Sequence, residues 1–218
     1  MSIHNSLKTD LITVTPSSLV SEVKMLFETR HLSHVPVLDG TYFLGMLSKE
    51  TVFSAENNEN IADLHYEIDV FFAHSYMQWE EVMELFVKHD SNIIPVLDGN
   101  NNYVGYYQLV DFIHLFADTP FLKETGNFIV LEKNQDAYSF SEITQIVESN
   151  RAKSLGIFVS DYANGKVRIA LKINTQSLSE ILQTFRRYGY TILLDKKDDL
   201  YLQELKEKSA YFDKFLSI

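Results

Sequence analysis

The chain has 218 residues, 45% of them hydrophobic and 13% aromatic, enough apolar surface for one or two packed domains and too much for a disordered chain. Its formal net charge of -11 speaks against a general phosphate-backbone binder, so no nucleic acid is expected as a partner. The lack of cysteine excludes disulfides, thiolate zinc sites and thiol catalysis; with no apolar run near the roughly 20 residues that span a bilayer and no basic-then-apolar start, it leads to the expectation of a cytoplasmic protein with no membrane partner.

In chain order, Leu11-Ile12-Thr13-Val14 reads as a short strand, and Thr15-Pro16-Ser17-Ser18 as a helix start with its N-cap at Ser17 or Ser18. Leu19, Val23, Leu26 and Phe27 recur at helical spacing, and the helix should stop near His31, before the extended Val35-Pro36-Val37-Leu38. Asp39-Gly40 turns the chain into the return strand Tyr42 to Leu47, and Ser48 opens a second short helix through Phe53. The same pattern then returns. Val35-Pro36-Val37-Leu38-Asp39-Gly40 reappears as Ile94-Pro95-Val96-Leu97-Asp98-Gly99 fifty-nine residues later, and Glu22, Val23, Leu26 and Phe27 find Glu81, Val82, Leu85 and Phe86 at that offset. Gly45 returns as Gly105 at an offset of sixty, because the second turn carries one more polar residue, as loops permit and packed elements do not. The second copy therefore predicts a strand at Val70-Phe71-Phe72, a helix from about Gln78 to His89, strands Ile93 to Leu97 and Tyr103 to Tyr107, and a helix from about Leu109 to Phe116.

The helix with its Val and Leu-Phe spacing, the Pro-Val-Leu-Asp-Gly hairpin and the Gly-x-x-polar segment, twice in tandem over residues 7 to 118, resemble the paired CBS domains known as a Bateman module. The resemblance implies pseudo-symmetric βαββα units, 1–57 and 58–120, that bind adenosine compounds such as AMP, ATP or S-adenosylmethionine in clefts between them and dimerise into a disc. Nucleotide-binding members place Ser or Thr three residues after the glycine and Asp six residues after it. A carboxylate there accepts from ribose hydroxyls, and a hydroxyl near a helix N-terminus meets phosphate. From Gly45 the chain reaches Ser48 but then Thr51, with Glu50 one position early; from Gly105 it reaches Gln108 and then Asp111. Each copy keeps half of the pattern: the first is the better phosphate site, with Lys49 beside Ser48, and the second the better ribose site. Ser48 equally suits an N-cap, and Asp111 a solvated helix carboxylate. Thr13, Val35, Ala73 and Ile94 occupy positions that line the adenine pocket in relatives and equally suit a core. Arg30, His31, His34, Lys88, His89 and His114 complete the cation inventory. His31 and His34 straddle a helix-to-strand transition and do not share a helical face, so no metal site is expected.

Residues 121–126 read as a linker. Beyond it, strand 127–131, helix 139–150, strand 152–161, a turn at Ala163-Asn164-Gly165-Lys166, the alternating strand 167–173, helix 177–188 ended by Gly189, and strand 190–194 give a βαββαβ order. Over 127–195 this pattern is similar to the ACT domains, which implies amino-acid sensing at a subunit interface. The glycine usual in the family's first loop is missing from Asp136-Ala137-Tyr138-Ser139-Phe140, which weakens the ligand expectation. Residues 196–218 read as a C-terminal amphipathic helix.

No glycine-rich phosphate loop, nucleophile elbow or paired-histidine helix appears, so no enzyme and no resident cofactor are expected. The sequence as a whole predicts an α+β regulatory protein: a CBS pair sensing an adenine nucleotide, an ACT-like domain, a homodimer and an unknown protein target. Its alternatives are a ligand-free interaction scaffold and an amino-acid sensor.

Overall fold

A computed structural model describes residues 3–11 and 13–193. It divides between Phe116 and Ala117 into two compact units. Each has its own apolar core.

The first unit holds both copies of the repeat. α1 (Val20–Arg30) leads to the hairpin of β1 (His34–Asp39) and β2 (Tyr42–Ser48), then α2 (Lys49–Ser54). A 3-10 stretch, Ile61–Glu67, precedes β3 (Ala73–His74), α3 (Trp79–Lys88), the hairpin of β4 (Ile93–Leu97) and β5 (Tyr103–Gln108), and α4 (Leu109–Ala117). The duplication extends to irregularities. The β1–β2 ladder bulges between Val37 and Leu38, and the β4–β5 ladder between Val96 and Leu97. Gly45 and Gly105 both have positive φ, +145 and +153, in a region that L side chains rarely adopt.

Three local expectations shift. The strand expected over 11–14 reduces to one parallel bridge, Val14 to Val37, and its counterpart is Ala73–His74 against Val96–Leu97, later than Val70-Phe71-Phe72. Val14, rather than Thr13, is thus the partner of Ala73 in the repeat. The N-cap of α1 is Leu19, because Ser18 Oγ accepts from Thr15 N (3.1 Å) to close the preceding turn, while Glu22 Oε2 accepts from Leu19 N (3.3 Å). Leu19 is consequently exposed, and Val20 joins Val23, Leu26 and Phe27 on the buried face.

The pseudo-two-fold seam is marked by a polar clamp. Ser33 N and Ser33 Oγ donate to Asn92 Oδ1 (2.9 and 3.0 Å), Asn92 N donates to Ser33 Oγ (2.9 Å), and Asn92 Nδ2 donates to the His31 carbonyl (2.9 Å). Ser33 and Asn92 are repeat counterparts, each just ahead of a buried strand. Around them Phe86, Tyr107 and Phe112 pack edge to face, with Phe112 5.2 Å from Phe86 and 5.5 Å from Tyr107. Trp79 packs, partly buried, against the same core.

In the second unit a short helix, α5 (Pro120–Lys123), falls where a linker was expected. Then come β6 (Asn127–Asn134), α6 (Phe140–Ser149), β7 (Lys153–Ala163), β8 (Lys166–Asn174), α7 (Leu178–Arg187) and β9 (Thr191–Leu193). The sheet is antiparallel in the order β7-β8-β6-β9, which is the ferredoxin-like arrangement. Asn164 and Gly165 both take positive φ, 54 and 73, as a tight hairpin between right-twisted strands requires. Ile129 and Leu131 of β6 and Val167, Ile169, Leu171 and Ile173 of β8 bury one sheet face with the apolar stripes of α6 and α7. The alternate residues face away, and there Phe121 of α5 meets Phe128 and Phe158 edge on, at 5.3 and 5.4 Å. The expected helix over 196–218 lies outside the described residues.

Candidate functional site

The second copy brings its two candidate residues together. Gln108 is the last residue of β5, and Asp111 lies in the first turn of α4, so a strand end and a helix start present an amide and a carboxylate at one place. They converge on a residue that the repeat does not single out. Lys8 Nζ lies 2.9 Å from Asp111 Oδ2 and donates to Gln108 Oε1 at 2.6 Å. The Lys8 and Asp111 side chains are 35% and 25% exposed, although Asp111 Oδ2, the oxygen that faces Lys8, is itself buried. Asp111 is therefore neither a free helix carboxylate nor an open ribose acceptor here.

The segment that carries Lys8 is held by its backbone and by its neighbours. Lys8 and Tyr106 exchange two backbone hydrogen bonds, each 2.9 Å. Gly105, next along β5, makes room for this crossing, since a Cβ there would collide with the Lys8 carbonyl and crowd Leu7. Two residues on, Asp10 accepts from Tyr106 Oη (2.8 Å) and from Arg30 Nη1 (3.2 Å). The Tyr106 hydrogen bond, ahead of Arg30, holds the Asp10 carboxyl below its usual range, and burial together with that carboxylate pushes the Tyr106 phenol up to about 12.

The first copy repeats the architecture with different chemistry. Met46 and Asp69 exchange backbone bonds of 2.8 and 3.0 Å over Gly45, the counterpart of the Lys8–Tyr106 bridge over Gly105. The residue crossing β2 is thus an acid, and its carboxylate turns to His89 Nδ1, 3.4 Å away. Ser48 Oγ accepts from Thr51 N (3.0 Å) and lies 2.9 Å from Thr51 Oγ1, so it caps α2 and the two hydroxyls satisfy each other. An open cavity of about 440 Å³ adjoins them, lined by Ser48, Glu50, Thr51, Ser54, Glu59 and Glu67 among others. Among the described residues no lysine or arginine lines it; Lys49 Nζ instead sits over the Phe53 ring, 5.4 Å from its centroid. Three carboxylates outweigh the cation at its edge, Lys24, whose Nζ donates to the carbonyl of the lining residue Ala55 (2.8 Å), and their excess disfavours phosphate, which runs against the expectation that the first copy is the better phosphate site.

The adenine-lining candidates divide by burial. Val35, Ala73 and Ile94 are completely buried and belong to the core, whereas Thr13 is exposed and borders a second open cavity of about 370 Å³ beside α1. Of the remaining cations, His34 and His89 flank Phe71, with ring centroids 5.5 and 4.1 Å from it. Burial lowers the His34 pKa. His31, Lys88 and His114 side chains lie on the surface or its edge and join none of these sites. Among the described residues no group of three His, Asp or Glu side chains could hold a metal ion, and no helix is long and apolar enough to cross a membrane. Lys8 escaped the sequence reading because it lies ahead of Glu22, where the residue-by-residue correspondence of the two copies begins; the available signal was a lysine just ahead of the first strand in an acidic chain.

A model of the CBS domain matches this chain twice, over residues 5–58 and 62–118, slightly more than half of its length. An inosine-5'-monophosphate dehydrogenase of Methanocaldococcus jannaschii is 28% identical over 106 residues, 48% of this chain and 21% of that protein. The chain spans between 21% and 36% of the length of three curated relatives it matches. Among solved structures, a CBS domain pair/ACT domain protein from Thermotoga maritima aligns with a TM-score of 0.49 and 21% identity over 54% of this chain and 98% of that one. CBSX2 in complex with AMP aligns with a TM-score of 0.45 and 14% identity over 53% of this chain and 95% of that one.

Proposed function

Because the chain belongs to the CBS domain family, we propose that it is a non-catalytic regulatory protein whose second CBS copy takes an adenine nucleotide of the AMP, ATP or S-adenosylmethionine type. One observation carries this reading: Asp111 and Gln108 meet at the junction of β5 and α4, with a cation between them. Asp111 supplies the carboxylate that a ribose diol needs as acceptor, and its side chain is a quarter exposed although Oδ2 is covered by Lys8. The first copy offers Thr51 at that position and an acidic cavity beside it, so one nucleotide per chain is the expected stoichiometry. Ligand entry shifts the relation of the two copies, and in a cytoplasmic homodimer a protein target reads that shift.

For the second half we favour an ACT-like assembly sheet over an amino-acid sensor. The loop where a ligand backbone would approach has no glycine, its Tyr138 packs on Phe140 and on the core, and Ser139 N donates to Tyr190 Oη (3.4 Å).

The test is thermal unfolding of the full chain with AMP, ATP, S-adenosylmethionine or single amino acids at millimolar concentration. A ligand at 100 times its dissociation constant adds about 2.7 kcal/mol, a midpoint shift of about 5–10 °C in a chain of this size. The expected result is a shift with adenosine compounds that Asp111→Ala abolishes. A shift with an amino acid alone would move the function to the second half, and no shift at all would leave the scaffold.

A further inference from the structure

Ribose hydroxyls need free acceptors, yet in the second copy Asp111 Oδ2 and Gln108 Oε1 are already engaged. Lys8 Nζ bridges Asp111 and Gln108 at 2.9 and 2.6 Å, where a ribose diol would donate to the same oxygens. The lysine is aimed there by its backbone. It crosses β5 at Tyr106, two residues before Gln108, and the alternation of a strand puts positions 106 and 108 on one face. Gly105 lets the crossing segment lie close, and Asp10 ties its far end to Tyr106 and Arg30. The first copy has no such device, since the residue crossing β2 is Asp69 and the position corresponding to Asp111 is Thr51. Lys8 approaches from the solvent side, its side chain 35% exposed, so a ligand arriving from solvent can compete with it for Asp111.

We propose that Lys8 is an internal occupant of the second-copy site, standing in place of ribose hydroxyls, and that an adenine nucleotide enters by displacing it and so loosens the segment Leu7–Asp10 from β5. The proposal rests on the nucleotide reading of Asp111. It adds a structural output to that reading: ligand entry is exchanged for release of a segment that is held to the second copy by the Lys8–Tyr106 bridge and to α1 by the Asp10–Arg30 pair.

The experiment is calorimetric titration of AMP and of adenosine into the full chain, Lys8→Met, Asp111→Asn and the double variant, together with amide hydrogen exchange. Lys8→Met keeps the aliphatic stem and the backbone bridge while removing the charge; Lys8→Gln serves if Lys8→Met does not fold. Lys8→Met is expected to bind both probes about ten-fold more tightly, Asp111→Asn to abolish binding in either background, and AMP to accelerate exchange at the Lys8 and Tyr106 amides of the unaltered chain. Equal or weaker AMP binding by Lys8→Met, with Asp111→Asn still abolishing it, overturns the proposal and leaves the nucleotide reading intact; selective loss of AMP but not adenosine would make Lys8 a phosphate ligand and overturn it too. Failure of every protein to bind either probe at millimolar concentration overturns both.

Discussion

Replacing Gly105 by alanine strikes the crossing of the N-terminal segment over β5 in two separable ways. At φ +153 a side chain is strained whatever the space around it, a cost of roughly 1–3 kcal/mol. The new Cβ would also collide with the Lys8 carbonyl, which is backbone and cannot swing aside, and would lie 3.0 Å from Leu7 Cδ1. If the segment lifts, the two Lys8–Tyr106 backbone bonds are lost, at roughly 0.5–1.5 kcal/mol each. The expected destabilisation is therefore roughly 2–6 kcal/mol, with Gly45→Ala in the same range because its Cβ meets Ile68 and the Asp69 carbonyl. Gly40→Ala isolates the strain, since Gly40 has φ +62 and an added methyl would find nothing within 4 Å, so only the left-handed penalty of about 1–2 kcal/mol applies. Urea unfolding followed by fluorescence of Trp79, the sole tryptophan, reports on the first unit selectively. A Gly105→Ala loss no larger than that of Gly40→Ala would refute the close crossing.

Asn92→Ala should cost about 1–3 kcal/mol by leaving Ser33 N and the His31 carbonyl without their partner, and Ser33→Ala combined with it should be clearly less than additive, as a double-mutant cycle in urea would show. His34 predicts a pH dependence: burial holds its imidazole below the ordinary 6.5, with Asp69 pulling the other way. Below pH 6.5 the unfolded chain takes up the proton first, so this contribution to stability is whole above 6.5 and is lost as pH falls toward the lower folded value; His34→Gln should flatten stability over that window. In the second unit, burial and then the Glu142 hydrogen bond push the Tyr190 phenol up to about 12, so Tyr190→Phe should remove a late-ionising phenol from the ultraviolet titration while the neighbouring Lys133–Glu142 pair, 2.7 Å, persists.

The duplicated half was legible because each of its elements is written in short-range pattern: a helical stripe, a proline-bearing strand, an Asp-Gly turn and a glycine that returns in register. The second half was legible for the same reason, through strict alternation in β8 and the Asn164-Gly165 turn. The site was only half legible. Gln108 and Asp111 could be picked out by spacing, since they lie three positions apart across a strand-to-helix junction. The rest depends on pairs about 100 residues apart in the chain, and no local periodicity encodes which cation meets which carboxylate. Likewise, whether Ser48 faces a ligand or caps α2, and whether Val35 and Ile94 line a cleft or fill the core, depends on how two copies close on one another around Ser33 and Asn92. Sequence alone determined the repeat, the element order and the position of the one well-placed carboxylate. Tertiary structure decided what that carboxylate holds, because a segment crossing over Gly105 delivers Lys8 to Asp111 from outside the pattern that defines the site.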